Sequence, residues 1–152
     1  MIKIKNLSKI KNNEACFSFI SESTVSEIAY LMEDKDIGAV PILDQQKRLI
    51  GILSERDIVR KLVKTGRDSD LVTANDIMTK KIKSVYLNTT ITEAQRIMTE
   101  NNIRHLPVID SNNKLINFLS HRDLIIIPAK RINQLVILIF FILILITIFV
   151  IK

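Results

Sequence analysis

The sequence has little of several residue types on which common classes of site are built. Of its 152 residues, none is tryptophan, one is cysteine, two are histidine, three are glycine and three are proline. The single cysteine, Cys16, excludes a disulfide framework and a cysteine-rich zinc site. The scarcity of glycine and proline excludes a flexible low-complexity chain. With only 5% aromatic residues, the sequence also argues against an aromatic platform for single-stranded nucleic acid.

No motif has the spacing of a catalytic centre. The sequence contains no phosphate-binding glycine loop, no zinc-ligand spacing and no Ser-His-Asp set. It therefore predicts a protein that is not an enzyme, that holds no metal and that requires no cofactor.

The chain has a higher mean hydropathy than its share of charged residues would predict. The formal charge is +6 and a quarter of the residues are charged, yet the mean hydropathy is +0.22. The apolar residues are concentrated in residues 135–151, where only Thr147 falls outside the apolar set. Without this run the apolar share is roughly 41%, an ordinary value for a soluble domain. The sequence thus predicts a soluble module followed by a hydrophobic tail.

The apolar run 135–151 predicts a transmembrane helix. At 1.5 Å per residue it is about 25 Å long, at the short end of what crosses a hydrocarbon core of about 30 Å. Lys130 and Arg131 precede it within a juxtamembrane linker, residues 128–134, and the positive-inside rule puts the larger domain in the cytoplasm. The N-terminus is basic and lacks the apolar region of a secretory signal. A single-pass protein of the cell membrane is expected, with a buried or oligomerisation helix as the alternative.

An internal repeat organises the rest of the chain. A shift of 66 residues aligns Thr24–Ile58 with Thr90–Leu124 without a gap, and 12 of these 35 positions are identical. A repeat of this kind predicts two similar units that bury a shared surface, with a pseudo-twofold axis and a cleft where they meet.

Each repeat is predicted to fold as helix, strand, strand, helix. Thr24 with Glu27, and Thr90 with Glu93, have the spacing of capping boxes at helix starts. Alternating apolar runs around turn residues predict the strands Ala39–Leu43, Arg48–Leu53, His105–Ile109 and Lys114–Leu119. Second helices are expected from Glu55 and from His121. The predicted boundaries are an N-terminal segment of the first repeat at 1–20, repeat one at 21–64, a linker at 65–74 and repeat two at 75–127.

Two stretches in each repeat carry a resemblance to a known family. They are Ala39-Val-Pro-Ile-Leu-Asp44 with Gly51-Ile-Leu-Ser-Glu-Arg-Asp-Ile58, and Ile103-Arg-His-Leu-Pro-Val-Ile-Asp110 with Asn117-Phe-Leu-Ser-His-Arg-Asp-Leu124. This doubled pattern resembles a tandem pair of CBS (cystathionine beta-synthase) domains over residues 10–127. The resemblance implies an α+β fold of two pseudo-symmetric repeats, each a small sheet packed on helices. Asn117 stands where the family has glycine, so we expect it to crowd a ligand at the second site.

The resemblance also implies that an adenine nucleotide (AMP, ADP or ATP) binds between the repeats as a regulatory ligand. The two Ser-x-x-Asp motifs are similar to the family's ribose and phosphate site. A serine at a helix start lies beside free N–H groups that favour phosphate, and the aspartate can accept hydrogen bonds from ribose hydroxyls. An apolar rim is expected to sandwich the purine. The predicted site residues are Gly38, Val40, Pro41, Ser54, Arg56, Asp57, Ile82, Arg104, His105, Leu106, Pro107, Ser120, Arg122 and Asp123.

Structural roles for the same residues stay open at this point. A Ser-x-x-Asp motif before an apolar run is also an ordinary helix cap. Arg56 and Arg122 can pair with neighbouring carboxylates, His121 fits an exposed position, and Cys16 fits a packed one.

Three functions are compatible with the sequence. The first is a membrane-anchored sensor, a nucleotide-binding homodimer at a lipid bilayer that signals to a transporter, channel or enzyme. The second is a ligand-free interaction scaffold at the membrane. The third is nucleic-acid binding, against which the modest and scattered positive charge argues, since attraction to anionic lipid headgroups explains it as well.

Overall fold

The computed structural model describes residues 1–14, 16–125, 137–144 and 146. Five α-helices and five strands lie within residues 1–125 of this part of the chain. The helices are α1 (Ser8–Lys11), α2 (Val25–Asp34), α3 (Glu55–Lys61), α4 (Ala74–Ile77) and α5 (Ile91–Glu100). The strands are β1 (Phe19–Ile20), β2 (Ala39–Leu43), β3 (Leu49–Ser54), β4 (His105–Ile109) and β5 (Leu115–Ser120). Single 3-10 turns cover Ile4–Asn6, Val63–Thr65 and Arg122–Leu124.

Both hydrogen bonds of the predicted capping box are present at the start of α2, and one of the two is present at the start of α5. The Thr24 hydroxyl accepts the Glu27 N–H at 3.2 Å, and the Glu27 carboxylate accepts the Thr24 N–H at 3.0 Å. On α5 the Thr90 hydroxyl accepts the Glu93 N–H at 3.1 Å. The Glu93 carboxylate instead pairs with Arg96 at 2.7 Å, so it makes no return bond to Thr90.

The two sheets follow the same plan at a spacing of 66 residues. In the first, β1 pairs parallel with β2, which pairs antiparallel with β3; in the second, β4 pairs antiparallel with β5. An isolated parallel bridge, Val85 to Val108, is the counterpart of the pair Phe19 and Ile42. The α+β fold with two pseudo-symmetric repeats is therefore confirmed.

Two hydrophobic cores support the two repeats. The first contains the buried residues Val25, Ile28, Met32, Val40, Ile42, Leu53, Leu62, Val72, Ala74, Ile77 and Met78. The second contains Ile4, Val85, Ile91, Ala94, Met98, Leu106, Val108, Leu119 and Leu124. The turns of the two hairpins join the repeats, because Asn113 accepts the Leu49 N–H at 3.0 Å and donates its side-chain amide to the Leu49 carbonyl at 3.0 Å.

The N-terminal segment is divided between the two repeats. The sequence assigned residues 1–20 to the first repeat, and Phe19–Ile20 do pair with its sheet. Ile4, however, is fully buried in the second core, and Leu7 and Ile10 pack against that core. Ile4, Leu7 and Ile10 therefore belong to the second repeat and not, as predicted, to the first. Their apolar spacing in the sequence does not indicate which of two similar cores they enter.

The second repeat ends in a shorter helical turn than predicted. Where a helix was expected from His121, the structure has a 3-10 turn at Arg122–Leu124, and Ile125 is already extended. The three isoleucines at 125–127 are β-branched and weaken a helix, and Pro128 disfavours helical backbone at the residue before it. The first repeat has no such sequence after Asp57, and α3 continues to Lys61.

The C-terminal tail is described in part. Residues 137–144 and 146 are helical and exposed. No helix among the described residues meets the length and hydropathy needed to cross a bilayer. The rest of the predicted span 135–151, and the whole predicted linker 128–134, lie outside the described residues.

The burial of Ile4 predicts that the N-terminal segment is part of the fold. We expect Ile4→Ala to lower the free energy of unfolding by about 2–5 kcal/mol, because it leaves a cavity in the second core. Ile2→Ala is the matched control, since Ile2 is half exposed, and its effect is expected to stay within about 0.5 kcal/mol. Urea unfolding of both variants measures the difference, and equal effects would contradict the packing described.

Candidate functional site

A cleft of about 670 Å³ lies where the two repeats meet. This volume is within the range of about 300–1,000 Å³ that is usual for small-molecule sites. Its lining comes from the first repeat, from the chain after α4 and from the end of α5 into β4. The lining residues are Gly38, Ala39, Ile52, Ser54, Glu55, Arg56, Asp57, Arg60, Lys61, Thr79, Lys81, Ile82, Lys83, Asn101, Ile103, Arg104 and His105.

Half of the predicted site residues line this cleft. They are Gly38, Ser54, Arg56, Asp57, Ile82, Arg104 and His105. Four of the five members of the predicted apolar rim do not line the cleft. They are Val40, Pro41, Leu106 and Pro107, which are buried within the strands. Successive strand residues point to opposite faces, so when Val40 enters the core its neighbour Ala39 faces the cleft.

Asp57 is the polar centre of the cleft. It follows Ser54, the N-cap of α3, whose hydroxyl accepts the Asp57 N–H at 3.3 Å. The Asp57 carboxylate accepts the Ser54 hydroxyl at 2.6 Å on one oxygen. Its other oxygen accepts the Thr79 hydroxyl at 3.0 Å and pairs with Lys61 Nζ at 2.7 Å. The capping role is thus present, and it holds the carboxylate at the cleft wall.

The hydrogen bonds keep Asp57 ionised. Burial raises the pKa of its carboxyl, but hydrogen bonds from Lys61 and Ser54 outweigh burial, so the pKa lies below its usual value. Asp57 is therefore a hydrogen-bond acceptor near neutral pH, and its charge is balanced by Lys61.

Basic side chains dominate the cleft walls. Six of the lining residues are basic, against two acidic ones, Glu55 and Asp57. The basic residues are Arg56, Arg60, Lys61, Lys81, Lys83 and Arg104. Arg56 also joins the repeats, since its Nη1 donates to the Asn102 carbonyl at 3.3 Å. A concave surface with this excess of positive charge favours an anionic ligand.

Sequence reasoning missed four of these basic residues for identifiable reasons. Lys61 lies one turn after Asp57, a spacing that puts both on one helix face. Lys81 and Lys83 alternate with Ile82, the one residue of that segment that was predicted. No feature of the sequence around Arg60 predicts its place in the cleft. It reaches the cleft because α3 lies beside the second repeat.

His105 lies at the inner end of the cleft. Its ring stacks on that of Phe118, with 5.6 Å between the centroids and 4° between the planes. Burial lowers the pKa of His105, an effect that Lys9 and Arg104 reinforce and Asp123 opposes. Across the cleft, a Cβ on Gly38 would lie 3.6 Å from the His105 ring and 3.1 Å from Glu55. The glycine therefore leaves room for the Glu55 carboxylate, whereas a Cβ would make only an ordinary contact with the His105 ring.

The second Ser-x-x-Asp motif lies outside the cleft. The Asp123 carboxylate accepts the Ser120 N–H at 2.6 Å and the Ser120 hydroxyl at 2.9 Å, as in the first repeat. Its basic partner is Lys9 of the N-terminal segment, at 3.1 Å. Arg122 is exposed. Ser120, Arg122 and Asp123 therefore lie apart from the seven predicted residues that line the cleft.

Comparison with known proteins agrees with the fold. The CBS domain family matches residues 14–64 and 74–130. An uncharacterized protein of Methanopyrus kandleri is 39% identical over 102 residues, which cover 67% of this chain and 52% of that protein. One of Acidianus ambivalens is 41% identical over 101 residues, covering 66% and 60%. The match thus spans between half and two thirds of these relatives.

A solved structure gives the same picture in three dimensions. A protein with CBS domains from Burkholderia ambifaria is 33% identical to this chain and superposes on it with a TM-score of 0.71. The superposition covers 80% of this chain and 86% of that one.

The buried position of His105 predicts a pH dependence of stability. Its pKa is lowered in the folded state, so below an unfolded value of about 6.5 the unfolded chain binds more protons than the folded one. Stability should therefore fall as the pH drops from 7.5 to 5.5, by at most about 1.4 kcal/mol per pH unit from this group.

His105→Phe keeps the ring against Phe118 and removes the titration. We expect urea unfolding of this variant to vary less between pH 7.5 and 5.5 than that of the wild type. His121→Gln is the control, because His121 is exposed, and it should keep the wild-type dependence. The same pH dependence in the wild type and His105→Phe would contradict the assignment.

Proposed function

Because the chain belongs to the CBS domain family, we propose that it is a membrane-anchored regulatory module that binds an adenine nucleotide between its repeats and signals to a partner protein. Pairs of CBS domains commonly bind adenine nucleotides as regulatory modules, and CBS domain proteins are regulatory rather than catalytic. In this proposal the chain has no catalytic activity of its own, and the ligand acts as a signal.

The composition of the cleft supports a nucleotide most directly. The apolar side chains of Ala39, Ile52 and Ile82 offer a surface to a purine base. Asp57 accepts hydrogen bonds from ribose hydroxyls, and the basic side chains neutralise the phosphates. Base, sugar and phosphate each have a matching group within one cavity of suitable size.

Solved structures of the same fold support the class of ligand. CBSX2, 24% identical to this chain, was solved in complex with AMP. A second CBS domain pair, 22% identical, was solved with 5-methylthioadenosine and S-adenosyl-L-methionine. The excess of positive charge in the present cleft favours the anionic nucleotides AMP, ADP and ATP over the sulfonium compound.

Exposed apolar side chains favour a second candidate, an interaction scaffold. Tyr30 on α2, Val59 on α3, Val63 just after α3 and Leu71 in the following turn are each more than half exposed. Such side chains on a regulatory module are suited to contact a second copy or a partner transporter, channel or enzyme. The two candidates are compatible, and only the first requires a ligand in the cleft.

The nucleotide proposal predicts stabilisation by ligand. AMP, ADP or ATP should raise the melting temperature of the full chain in mild detergent, because a ligand at 100 times its Kd stabilises the native state by about 2.7 kcal/mol. Asp57→Asn removes a charged acceptor, and we expect a Kd roughly 10 to 100 times higher, since a hydrogen bond to a charged group is worth about 1.5–3 kcal/mol.

Calorimetric titration measures that Kd. Asp34→Asn is the control, because Asp34 pairs with Lys35 at the surface and lies outside the cleft. No shift in melting with any of the three nucleotides at millimolar concentration would reject the nucleotide and leave the scaffold.

The membrane proposal depends on the apolar run 135–151 and on the positive charge of the chain. We expect the full chain expressed in cells to stay with the membrane pellet through a wash in alkaline carbonate. A variant that ends at residue 131 should move to the supernatant. Recovery of the full chain in the carbonate supernatant would reject the anchor.

A further inference from the structure

The first residues of the chain lie close to the point where it leaves the two-repeat module (residues 1–125). At the start of α5, the Ile91 N–H donates to the Ile2 carbonyl at 3.0 Å. Four residues later on the same helix, the Gln95 side chain donates to the Leu124 carbonyl at 3.0 Å. Four residues of α-helix rise about 6 Å. Ile2 and Leu124 therefore contact α5 about one helical turn apart.

The chain between the module and the apolar run is short. Nine residues, 126–134, separate Ile125 from the run 135–151. Fully extended, nine residues reach at most about 30 Å. A bilayer that holds the run therefore keeps the module near its surface, and the part of the module beside the exit of the chain is the part closest to the lipid.

We propose that one face of the module, formed by Met1, Ile2, Lys5 and Tyr86, contacts an anionic lipid surface. We call it the N-terminal face. The inference rests on the proposed function for the membrane anchor and names the part of the module that meets the bilayer.

The backbone of the N-terminal face is held by the second repeat. Ile4 is fully buried in the second core, and its N–H donates to the Thr89 carbonyl at 2.9 Å. The N–H of Lys5 donates to the Leu87 carbonyl at 3.0 Å. These bonds place the segment against the turn that begins at Tyr86, so Lys5 and Tyr86 lie next to each other. The face is therefore formed before any lipid binds.

The N-terminal face combines apolar and basic side chains. Met1, Ile2 and Tyr86 are each at least half exposed, and Lys5 is exposed beside them. Surfaces that lie on a membrane have this composition, because apolar side chains enter the headgroup region and lysines pair with anionic headgroups. Tyrosine is itself enriched at the level of the headgroups.

The two segments that form the face carry charge of one sign. Residues 1–13 contain four lysines and no acidic residue, and residues 77–92 contain three lysines and no acidic residue. Glu93, which follows the second segment, pairs with Arg96 at 2.7 Å. Neither segment therefore brings a carboxylate that would be repelled by anionic lipid.

The corresponding end of the first repeat has a different charge. Lys3 forms a backbone bridge to Thr90, the cap of α5, and Thr73 forms the equivalent bridge to Thr24, the cap of α2. The residues before Thr73, at 67–72, include two aspartates and one arginine. Of these two similar ends of the fold, the basic one is the one beside the exit of the chain, and it is the one that fits an anionic surface.

The absence of tryptophan from the chain permits a single fluorescent reporter of this contact. Tyr86→Trp places the reporter on the N-terminal face. Tyr30→Trp is the matched control, since Tyr30 is also more than half exposed but lies on α2 of the first repeat. Each full chain is reconstituted into vesicles of phosphatidylcholine and phosphatidylglycerol, with brominated lipid as the quencher. We expect the emission of Tyr86→Trp to fall by about half or more and that of Tyr30→Trp by less than about a tenth.

Reversal of charge tests the role of the lysines. Each lysine near an anionic surface raises the bound population about fivefold, so Lys3→Glu/Lys5→Glu should remove most of the quenching of Tyr86→Trp. Lys47→Glu/Lys64→Glu makes the same change in net charge at exposed positions of the first repeat and should keep the quenching. About 0.5 M NaCl should act on the unreversed chain as the first double variant does, because salt screens exposed charges.

Three results would overturn the N-terminal face as a lipid contact. The first is equal quenching of Tyr86→Trp and Tyr30→Trp, which would mean that no particular face meets the bilayer. The second is quenching that is as strong in pure phosphatidylcholine, or that survives both the charge reversal and the salt. The third is no quenching in either lipid composition, which would leave the face for an acidic protein surface.

Flotation of the same samples separates this inference from the anchor. A chain that floats with vesicles of both compositions, without quenching of Tyr86→Trp by brominated anionic vesicles, would keep the anchor and overturn the lipid contact. A chain that floats only with anionic vesicles, and is quenched there, would reject the anchor and support the contact. A chain that floats with neither would reject both.

Discussion

The pairing of Ile52 with Thr79 determines where the open cleft lies. The two residues exchange backbone hydrogen bonds at 3.1 and 2.8 Å, and the Thr79 hydroxyl reaches Asp57 at 3.0 Å. The strand β3 therefore holds the chain after α4 against the start of α3. Because Lys81 and Lys83 follow directly, this pairing brings their charges to the same cavity as Arg56. One short bridge thus joins the apolar wall, the polar centre and the basic residues.

Among the described residues, no backbone bridge joins Phe118 and Asn13, the counterparts of this pair, and an asparagine in place of glycine before Phe118 accounts for one of the two missing hydrogen bonds. At Gly51 a Cβ would clash with the Met78 sulfur, so the close approach of the chain after α4 needs a glycine there. Its counterpart Asn117 is buried, and its side-chain oxygen accepts the Phe118 N–H at 2.8 Å. Phe118 is the counterpart of Ile52, whose N–H donates to the Thr79 carbonyl in the first repeat. An asparagine at this position therefore competes with the bridge. That Asn117 crowds a ligand at the second site stays a prediction; what the structure shows is its effect on backbone pairing.

The elements set by local rules were predictable, and those set by long-range packing were not. The cap at Thr24, the start of α3 at Glu55 and the strand pairs follow from residues within a few positions of each other, and each is where the sequence indicated within one residue. Ser54 and Asp57 could be predicted to line the cleft because a helix cap and the proposed ligand site use the same residues. Ile4 was misassigned because both cores present similar apolar surfaces, and only the three-dimensional arrangement selects one. Val40 and Ala39 were confused because strand alternation fixes two faces without saying which one is the core.

A cleft whose walls come from two repeats has a consequence for signalling. Its walls come from both halves, with Asp57 on one and Arg104 on the other, and Arg56 already reaches across to Asn102. A ligand that contacts both walls stabilises the arrangement in which they are at the correct distance, and it can shift the equilibrium only by its difference in affinity between arrangements.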